Sequence, residues 1–154
     1  MNMIKIQQRQ KKISFNAQLF AKKAELILAH LGYQDFDLGI LLTTNATIRQ
    51  YNKLYRNKDK ATDVLSFPYH EELKAGKKIK VTCDEDKNLG DLIISLPYVY
   101  DNNHHLRGTF EQRMDRMLVH GICHLLGHDH IQDADYRKMI RLENQLLKII
   151  QSAE

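Results

Sequence analysis

The sequence predicts an α+β fold: a single domain over residues 1–154, with a small mixed four-stranded sheet covered by helices. Its length of 154 residues suits one domain. Strand and helix patterns alternate along the first part of the chain, whereas the last third is helical in pattern. Apolar residues make up 43% of the chain and charged residues 27%, a globular balance that disfavours disorder, collagen-like repeats and coiled coil.

The four predicted strands are short apolar or alternating runs bounded by turn-forming residues. They cover residues 3–8, 37–43, 63–67 and 92–96. Pro68 follows the third strand and Pro97 the fourth, and proline cannot donate a hydrogen bond to a sheet. Segment 69–89 is charged and irregular, so we predict a flexible loop there.

Two helices are predicted between the first three strands. The first covers residues 16–31, where Asn16 is a candidate N-cap and Gly32 can close the C-terminal end. The second begins at Thr44-Asn45 and runs to about Tyr55.

Two further helices are predicted in the last third. Thr109 and Gln112 form a capping box before a helix that ends at Gly127. A final helix starts near Asp133 and has an apolar face. The residues that this face is predicted to bury are Tyr136, Met139, Ile140, Leu146, Leu147 and Ile150.

Cysteine content and hydropathy exclude several classes of protein. Cys83 and Cys123 are the only cysteines and form no CxxC motif, which excludes a disulfide scaffold and a cysteine-only zinc ribbon. No apolar run reaches the roughly 18 residues that a membrane span requires. Residues 1–12 are polar and basic without the apolar centre of a secretion signal, so we expect a cytoplasmic protein with no membrane partner.

The excess positive charge is concentrated in one segment. Residues 49–80 hold nine Lys or Arg against four Asp or Glu, whereas the rest of the chain holds 14 against 15. Because a basic patch attracts polyanions, this segment is a candidate surface for binding nucleic acid. Charge alone leaves open the alternative of a solvated basic loop.

Four of the eight histidines fall within residues 120–130. His120 and His124 are four residues apart in a predicted helix, so their imidazoles project from one face and can reach one metal ion. Gly127 allows the chain to turn back and bring His130 to the same ion. Three nitrogen ligands with an open fourth position are typical of a catalytic zinc site, so we predict one Zn²⁺, or another divalent metal, per chain.

Four neighbouring residues have predicted supporting or structural roles. His128 is expected at the surface or beside a ligand, and Asp129 either holds a ligand imidazole or is an exposed turn residue. Cys123 lies about 100° around the helix from His124 and is predicted to belong to the core. Glu143 lies on the apolar face of the last helix, where it either pairs with a ligand imidazole or extends to solvent.

The histidine spacing matches the long motif of zinc proteases, H-E-x-x-H-x-x-G-x-x-H, so we predict a zincin-like metal helix. In those proteases the Glu is the general base that activates the metal-bound water. Gly121 stands at that position here and cannot accept a proton. Peptide hydrolysis by that mechanism is therefore disfavoured.

Three ordered motifs resemble those of the YbeY family of bacterial metal-dependent endoribonucleases. Residues 120–130 resemble its H-G-x-x-H-L-x-G-x-D-H signature, and residues 55–68 its Y-R-x-K-x-x-x-T-[DN]-V-L-S-F-P segment. Residues 90–95 resemble its G-D-I-x-I-S strand. Ala61 departs from the pattern, because a proline is common at that position.

The resemblance implies a zinc-bound, single-strand-specific endoribonuclease that acts in 16S rRNA 3′-end maturation and ribosome quality control. Its partners would be single-stranded RNA, 16S rRNA and the small ribosomal subunit, and no DNA is expected. By position, His120, His124 and His130 match the metal ligands of the family, and Arg56 matches its essential arginine.

The residues themselves agree with this implied chemistry. Arg56 lies in the basic segment, where its planar guanidinium can pair with two phosphate oxygens. Lys53, Lys58 and Lys60 are predicted to contact the RNA backbone. The general base is undetermined, because no carboxylate adjoins His120 in the sequence.

Two alternatives stay open on the sequence alone. One is a zinc hydrolase or protease of another substrate class, which Gly121 disfavours. The other is a non-catalytic RNA-binding ribosome assembly factor with a structural zinc. An open three-histidine site disfavours this second alternative, but His128 or Asp129 could close the site as a fourth ligand.

Overall fold

A computed structural model describes residues 3–102 and 105–152 and confirms the predicted α+β class. In chain order the elements are β1 (Met3–Gln8), α1 (Ala17–Leu31), β2 (Asp37–Thr43), α2 (Asn45–Arg56), β3 (Val64–Pro68), β4 (Asn88–Ser95), α3 (Leu96–Asp101), α4 (Phe110–Leu125) and α5 (Asp133–Gln151). A short 3₁₀ turn, Asp84–Asp86, precedes β4. No helix in the described ranges combines the length and the apolar character that crossing a membrane requires.

The four strands form one mixed sheet in the order β1-β2-β4-β3. β1 pairs with β2, and β2 with β4, in parallel, whereas β3 pairs with β4 in the antiparallel direction. β3 is therefore an edge strand, and its residues Val64–Pro68 lie beside the helical layer that carries the histidines.

The two faces of the sheet are covered unequally. Alternate residues of β2 and β4, such as Leu42 and Ile94, are fully buried in the main core against α1, α4 and α5. The opposite face has only a small second core of Ile48, Leu65 and Ile93 beneath α2. Part of this second face is consequently left as an open groove.

The ends of the helices follow the predicted signals. Asn16 accepts the backbone N–H of Leu19 at 3.0 Å, and Gly32 closes α1 in the left-handed conformation with φ +83°. Thr44 stands at the N-cap of α2, but its side chain makes no capping hydrogen bond.

The fourth strand differs from its prediction at both ends. It begins at Asn88 rather than at Leu92, because pairing with β2 and β3 on its two sides holds Gly90 and Asp91 in the sheet although neither favours strands. The chain after Ser95 continues as a six-residue helix, α3, that sequence analysis missed. Pro97 lies in the first turn of α3, where its missing N–H costs no helical hydrogen bond.

Two further expectations are corrected by tertiary packing. Tyr136 is 51% exposed because it lies near the free start of α5, whereas Met139, Leu146 and Ile150 are buried as predicted. Ile140 and Leu147 are partly buried. The segment between β3 and β4 is irregular, yet it is anchored, since Leu73 and Ile79 pack against the main core.

Candidate metal centre

A capping box at its start and a close contact with β4 at its middle fix the position of α4. The side chain of Thr109 accepts the Gln112 N–H at 3.2 Å, and Gln112 accepts the Thr109 N–H at 2.9 Å, which completes the predicted capping box. At Gly121 the helix approaches β4 so closely that an added Cβ would lie 2.7 Å from Cδ2 of Leu92. A side chain at this position would force the buried Leu92 side chain to shift, so glycine is what allows α4 and β4 to approach this closely.

The histidines of α4 meet at the spacing that a metal requires. Nε2 of His120 and Nε2 of His124 lie 3.1 Å apart. Two nitrogen ligands of a tetrahedral zinc ion, each about 2.0–2.1 Å from the metal, would be separated by about 3.3 Å. This pair therefore fits the predicted ion in both donor type and spacing.

The far side of the His120 ring is held by a carboxylate. Oε2 of Glu143 on α5 lies 3.2 Å from Nδ1 of His120, which is the pairing that the sequence left as one of two options for this carboxylate. With Nδ1 of His120 donating to Glu143, its Nε2 carries the lone pair that a metal needs.

The protonation state of His124 also suits a metal ligand. Burial, and after it the repulsion from His120 and His130 when these rings are protonated, lowers the pKa of His124 to about 4. The imidazole is therefore neutral near pH 7, and only the neutral form can bind a metal.

His130 reaches the same region through the turn at Gly127. Gly127 adopts φ +87°, and an added Cβ there would overlap the carbonyl oxygen of Leu73. The ring of His130 lies 5.8 Å from that of His120 and 5.4 Å from that of His124, measured between centroids. Asp129 contacts Nδ1 of His130 at 3.5 Å. Within the described ranges, however, no three His, Cys, Asp or Glu side chains are gathered into a complete metal site, so coordination by His130 stays a prediction.

Two neighbours of the ligand candidates are buried. His128 is 8% exposed, so of its two expected positions the one at the surface is wrong and the one beside a ligand stays a prediction. Its N–H donates to the Cys123 carbonyl at 3.0 Å and folds the turn back onto α4. Nδ1 of His128 has no hydrogen-bond partner among the residues that the structure describes. Cys123 is fully buried, and burial raises the pKa of its thiol, which agrees with the predicted core position.

A cleft of about 610 Å³ brings Arg56 together with the three histidines, although Arg56 precedes His120 by 64 positions in the sequence. Nη1 of Arg56 donates to Oδ1 of Asn52 at 3.3 Å, and the described residues offer it no ion pair. Asp59 binds Arg49 instead, at 2.8 Å. Arg56 therefore presents its positive charge to the cleft.

Residues 4–151 match the family described as Endoribonuclease YbeY. The chain belongs to the YbeY family. The human Endoribonuclease YbeY is 39% identical to it over 128 residues, which cover 81% of this chain and 74% of the human protein. The protein of the same name from Aquifex aeolicus (strain VF5) is 41% identical over 133 residues, which cover 86% of this chain and 82% of the Aquifex protein.

The fold is shared with a solved structure as well. The solution structure of TM1509 from Thermotoga maritima aligns with this chain with a TM-score of 0.64 and 23% sequence identity. The alignment covers 98% of this chain and 91% of the TM1509 chain. Membership of the YbeY family confirms the resemblance that the three sequence motifs predicted.

The three lysines predicted to bind RNA lie outside the cleft that holds the histidines. Lys53, Lys58 and Lys60 are exposed at the end of α2 and in the loop that follows it, and none of them lines the cavity that holds the histidines. Lys53 lies 4.0 Å from Asp59. Contact of these lysines with RNA stays a prediction.

A second cleft, of about 290 Å³, borders the other side of the histidines and contains two residues that sequence analysis did not assign to the site. Asp63 and Arg116 line it together with His120 and His130. Arg116 precedes His120 by four positions on α4, a spacing that puts both on one helix face and could have indicated it. Asp63 could not be identified in this way, because only folding brings the start of β3 beside α4.

Proposed function

We propose that this chain is a zinc-dependent endoribonuclease that hydrolyses phosphodiester bonds of single-stranded RNA. The observation that carries the proposal is the single cleft that contains Arg56 and the three histidines in a member of the YbeY family. His120, His124 and His130 would hold one Zn²⁺. When bound, zinc polarises a phosphoryl oxygen and lowers the pKa of a bound water to about 7.

The protein side chains have distinct roles in this proposal. Arg56 binds the scissile phosphate through two parallel hydrogen bonds and offsets the negative charge that develops during displacement. Glu143 holds the His120 ring in its metal-binding orientation. Arg116, in the cleft on the other side of His120, supplies a second positive charge for the phosphate of an adjoining nucleotide.

We further propose 16S rRNA as the substrate, with the 3′ end matured on the small ribosomal subunit and the same activity serving ribosome quality control. The basic segment 49–80 supports an RNA partner, because positive charge beside the cleft attracts the phosphate backbone. Such a substrate places the protein in the cytoplasm. We expect no role for DNA or for a membrane.

A second candidate function is a non-catalytic RNA-binding factor whose zinc is structural. The observation that favours it is His128, whose buried Nδ1 lacks a hydrogen-bond partner within the described ranges. A fourth nitrogen ligand would close the coordination sphere and exclude water. Replacing zinc with cobalt distinguishes the two functions, since the visible spectrum shows whether water occupies a coordination position.

Cleavage of a short, fluorescently labelled single-stranded RNA by the purified protein tests the main proposal. We expect cleavage that a chelator abolishes and added zinc restores, with little cleavage of the same sequence in a duplex. The His124→Ala variant is the control for a contaminating nuclease. Equal cleavage by wild type and by this variant would disprove the proposed function.

A further inference from the structure

Tyr55 is an exposed aromatic residue that neither the metal centre nor the predicted phosphate contact explains. It lies in the last turn of α2, directly before Arg56, and 61% of its surface is exposed. An aromatic side chain gains free energy from burial, so a large exposed ring at the rim of a cleft is a candidate binding surface.

The ring of Tyr55 is held in place by two other aromatic residues. It stacks on Tyr51 at a centroid distance of 6.1 Å and an interplanar angle of 14°. Phe67 on β3 meets it edge-on at 5.2 Å and 68°. Both neighbours are partly buried beside the second core, so the exposed ring rests on a supported base.

Tyr55 and Phe67 line two cavities. One is the cleft that contains Arg56 and the histidines. The other is the open groove on the second face of the sheet, about 530 Å³ in volume, with apolar walls that include Leu41 and Ile93. Lys5 and Asp91 put one charge of each sign into this groove. A strand of nucleic acid leaving the cleft toward the groove would have to cross the Tyr55 ring.

We propose that Tyr55, supported by Phe67, is a stacking platform for one unpaired base of the RNA, next to the phosphate that Arg56 binds. This inference rests on the proposed function, because it takes RNA as the occupant. Single-strand-binding proteins combine basic groups for the backbone with aromatic rings for the bases, and adjacent Tyr and Arg side chains provide both here. A base paired within a duplex cannot turn onto the ring, so the platform also selects single strands.

Binding measured without cleavage tests the platform. The probe is a short single-stranded RNA that carries the fluorescent base 2-aminopurine, titrated with metal-free protein in a chelator. Stacking on Tyr55 quenches the fluorescence. Tyr55→Leu keeps an apolar side chain but lacks the flat ring, so we expect it to weaken binding by roughly 5- to 150-fold and to remove the quenching. Tyr55→Phe keeps the ring and should behave as wild type.

Leu54→Ala is the matched control, because Leu54 is 73% exposed on the same turn of α2 and lines neither cavity. It should bind and quench as wild type does. If Tyr55→Leu also binds and quenches like wild type while wild type cleaves RNA, the platform is disproved and the nuclease stands; the groove would then suit a protein segment instead. If the RNA is bound and quenched through Tyr55 but never cleaved, the platform stands and the proposed nuclease fails.

Discussion

Glu143 of α5 holds His120 of α4, with Oε2 of the carboxylate 3.2 Å from Nδ1 of the imidazole. The two residues belong to different helices, and this contact joins the last helix to the candidate metal centre. A carboxylate behind a ligand imidazole sets the tautomer and raises the basicity of the nitrogen that faces the metal.

Glu143→Gln should therefore weaken zinc binding by about 10- to 100-fold while the fold is retained. The amide of Gln still accepts the hydrogen bond from His120 but carries no charge. The loss of zinc affinity should therefore be nearer to about 10-fold than to 100-fold. Competition with a chromogenic chelator measures the affinity, and circular dichroism checks the fold. Asp135→Asn, which removes an exposed acid from the start of the same helix, is the control and should bind zinc as wild type does. Unchanged affinity in Glu143→Gln would show that the contact does not support a metal.

His124→Ala should abolish the binding of one zinc per chain, because the ion is expected to bind the Nε2 atoms of both His120 and His124, which lie 3.1 Å apart. Elemental analysis of the purified protein measures the zinc content per chain. His30→Ala, at an exposed position on α1, removes a histidine that lines neither cleft and should keep one zinc per chain. Full occupancy in His124→Ala would make the ligand assignment wrong.

Arg56→Ala should reduce the rate of RNA cleavage by about 10²- to 10³-fold, since it removes the group that offsets developing charge. Zinc content and melting temperature should not change, because Arg56 has no described ion pair and hydrogen-bonds only Asn52 within the described ranges. Arg56→Lys should recover part of the rate, as it keeps the charge but loses the two-pronged geometry. An activity loss that merely follows unfolding in thermal melts would make Arg56 a structural residue.

Replacing Lys53, Lys58 or Lys60 with alanine should give a different result from Arg56→Ala. Each substitution should weaken RNA binding modestly and lower the slope of log affinity against log salt by about 0.7, the value for one phosphate contact on a single strand. The cleavage rate at saturating RNA should stay near that of wild type, because the lysines lie outside the cleft. A salt dependence identical to that of wild type would exclude these side chains from the RNA interface.

Gly127→Ala should lower the free energy of unfolding and also weaken zinc binding. The left-handed φ of +87° costs an alanine about 1–2 kcal/mol, and the added Cβ overlaps the Leu73 carbonyl. Gly76→Ala is a closely matched control, because Gly76 has φ +83° and nothing within 4 Å of an added Cβ. Urea unfolding of both variants separates backbone strain from overlap. An equal loss of unfolding free energy in Gly127→Ala and Gly76→Ala would show that the overlap at Gly127 is relieved at no cost.

Local sequence patterns were sufficient to predict most of the secondary structure. The cap at Asn16, the capping box at Thr109 and the left-handed turn at Gly127 all occur where the sequence placed them. These features depend on residues within one or two turns of each other, so their physical cause is present in a short stretch of chain. The helical spacing of His120 and His124 belongs to the same class.

Only the tertiary structure decided which distant residues meet. It extended the fourth strand back to Asn88 through pairing on both sides, and it buried His128 under the turn. It also joined Lys23 to Asp115 in a buried ion pair at 3.0 Å across 92 positions of sequence.

The same distinction between local sequence and tertiary structure applies to the candidate metal centre. The sequence by itself determined the donor types and their helical spacing, and it determined family membership through motifs that are local strings. The contact of Glu143 with His120, the approach of Arg56 to the histidines and the two clefts beside them required the packing of α4 against β3 and α5. Periodicity shows which face of an element is buried, but the partner of that face is set by the free energy of packing the whole chain.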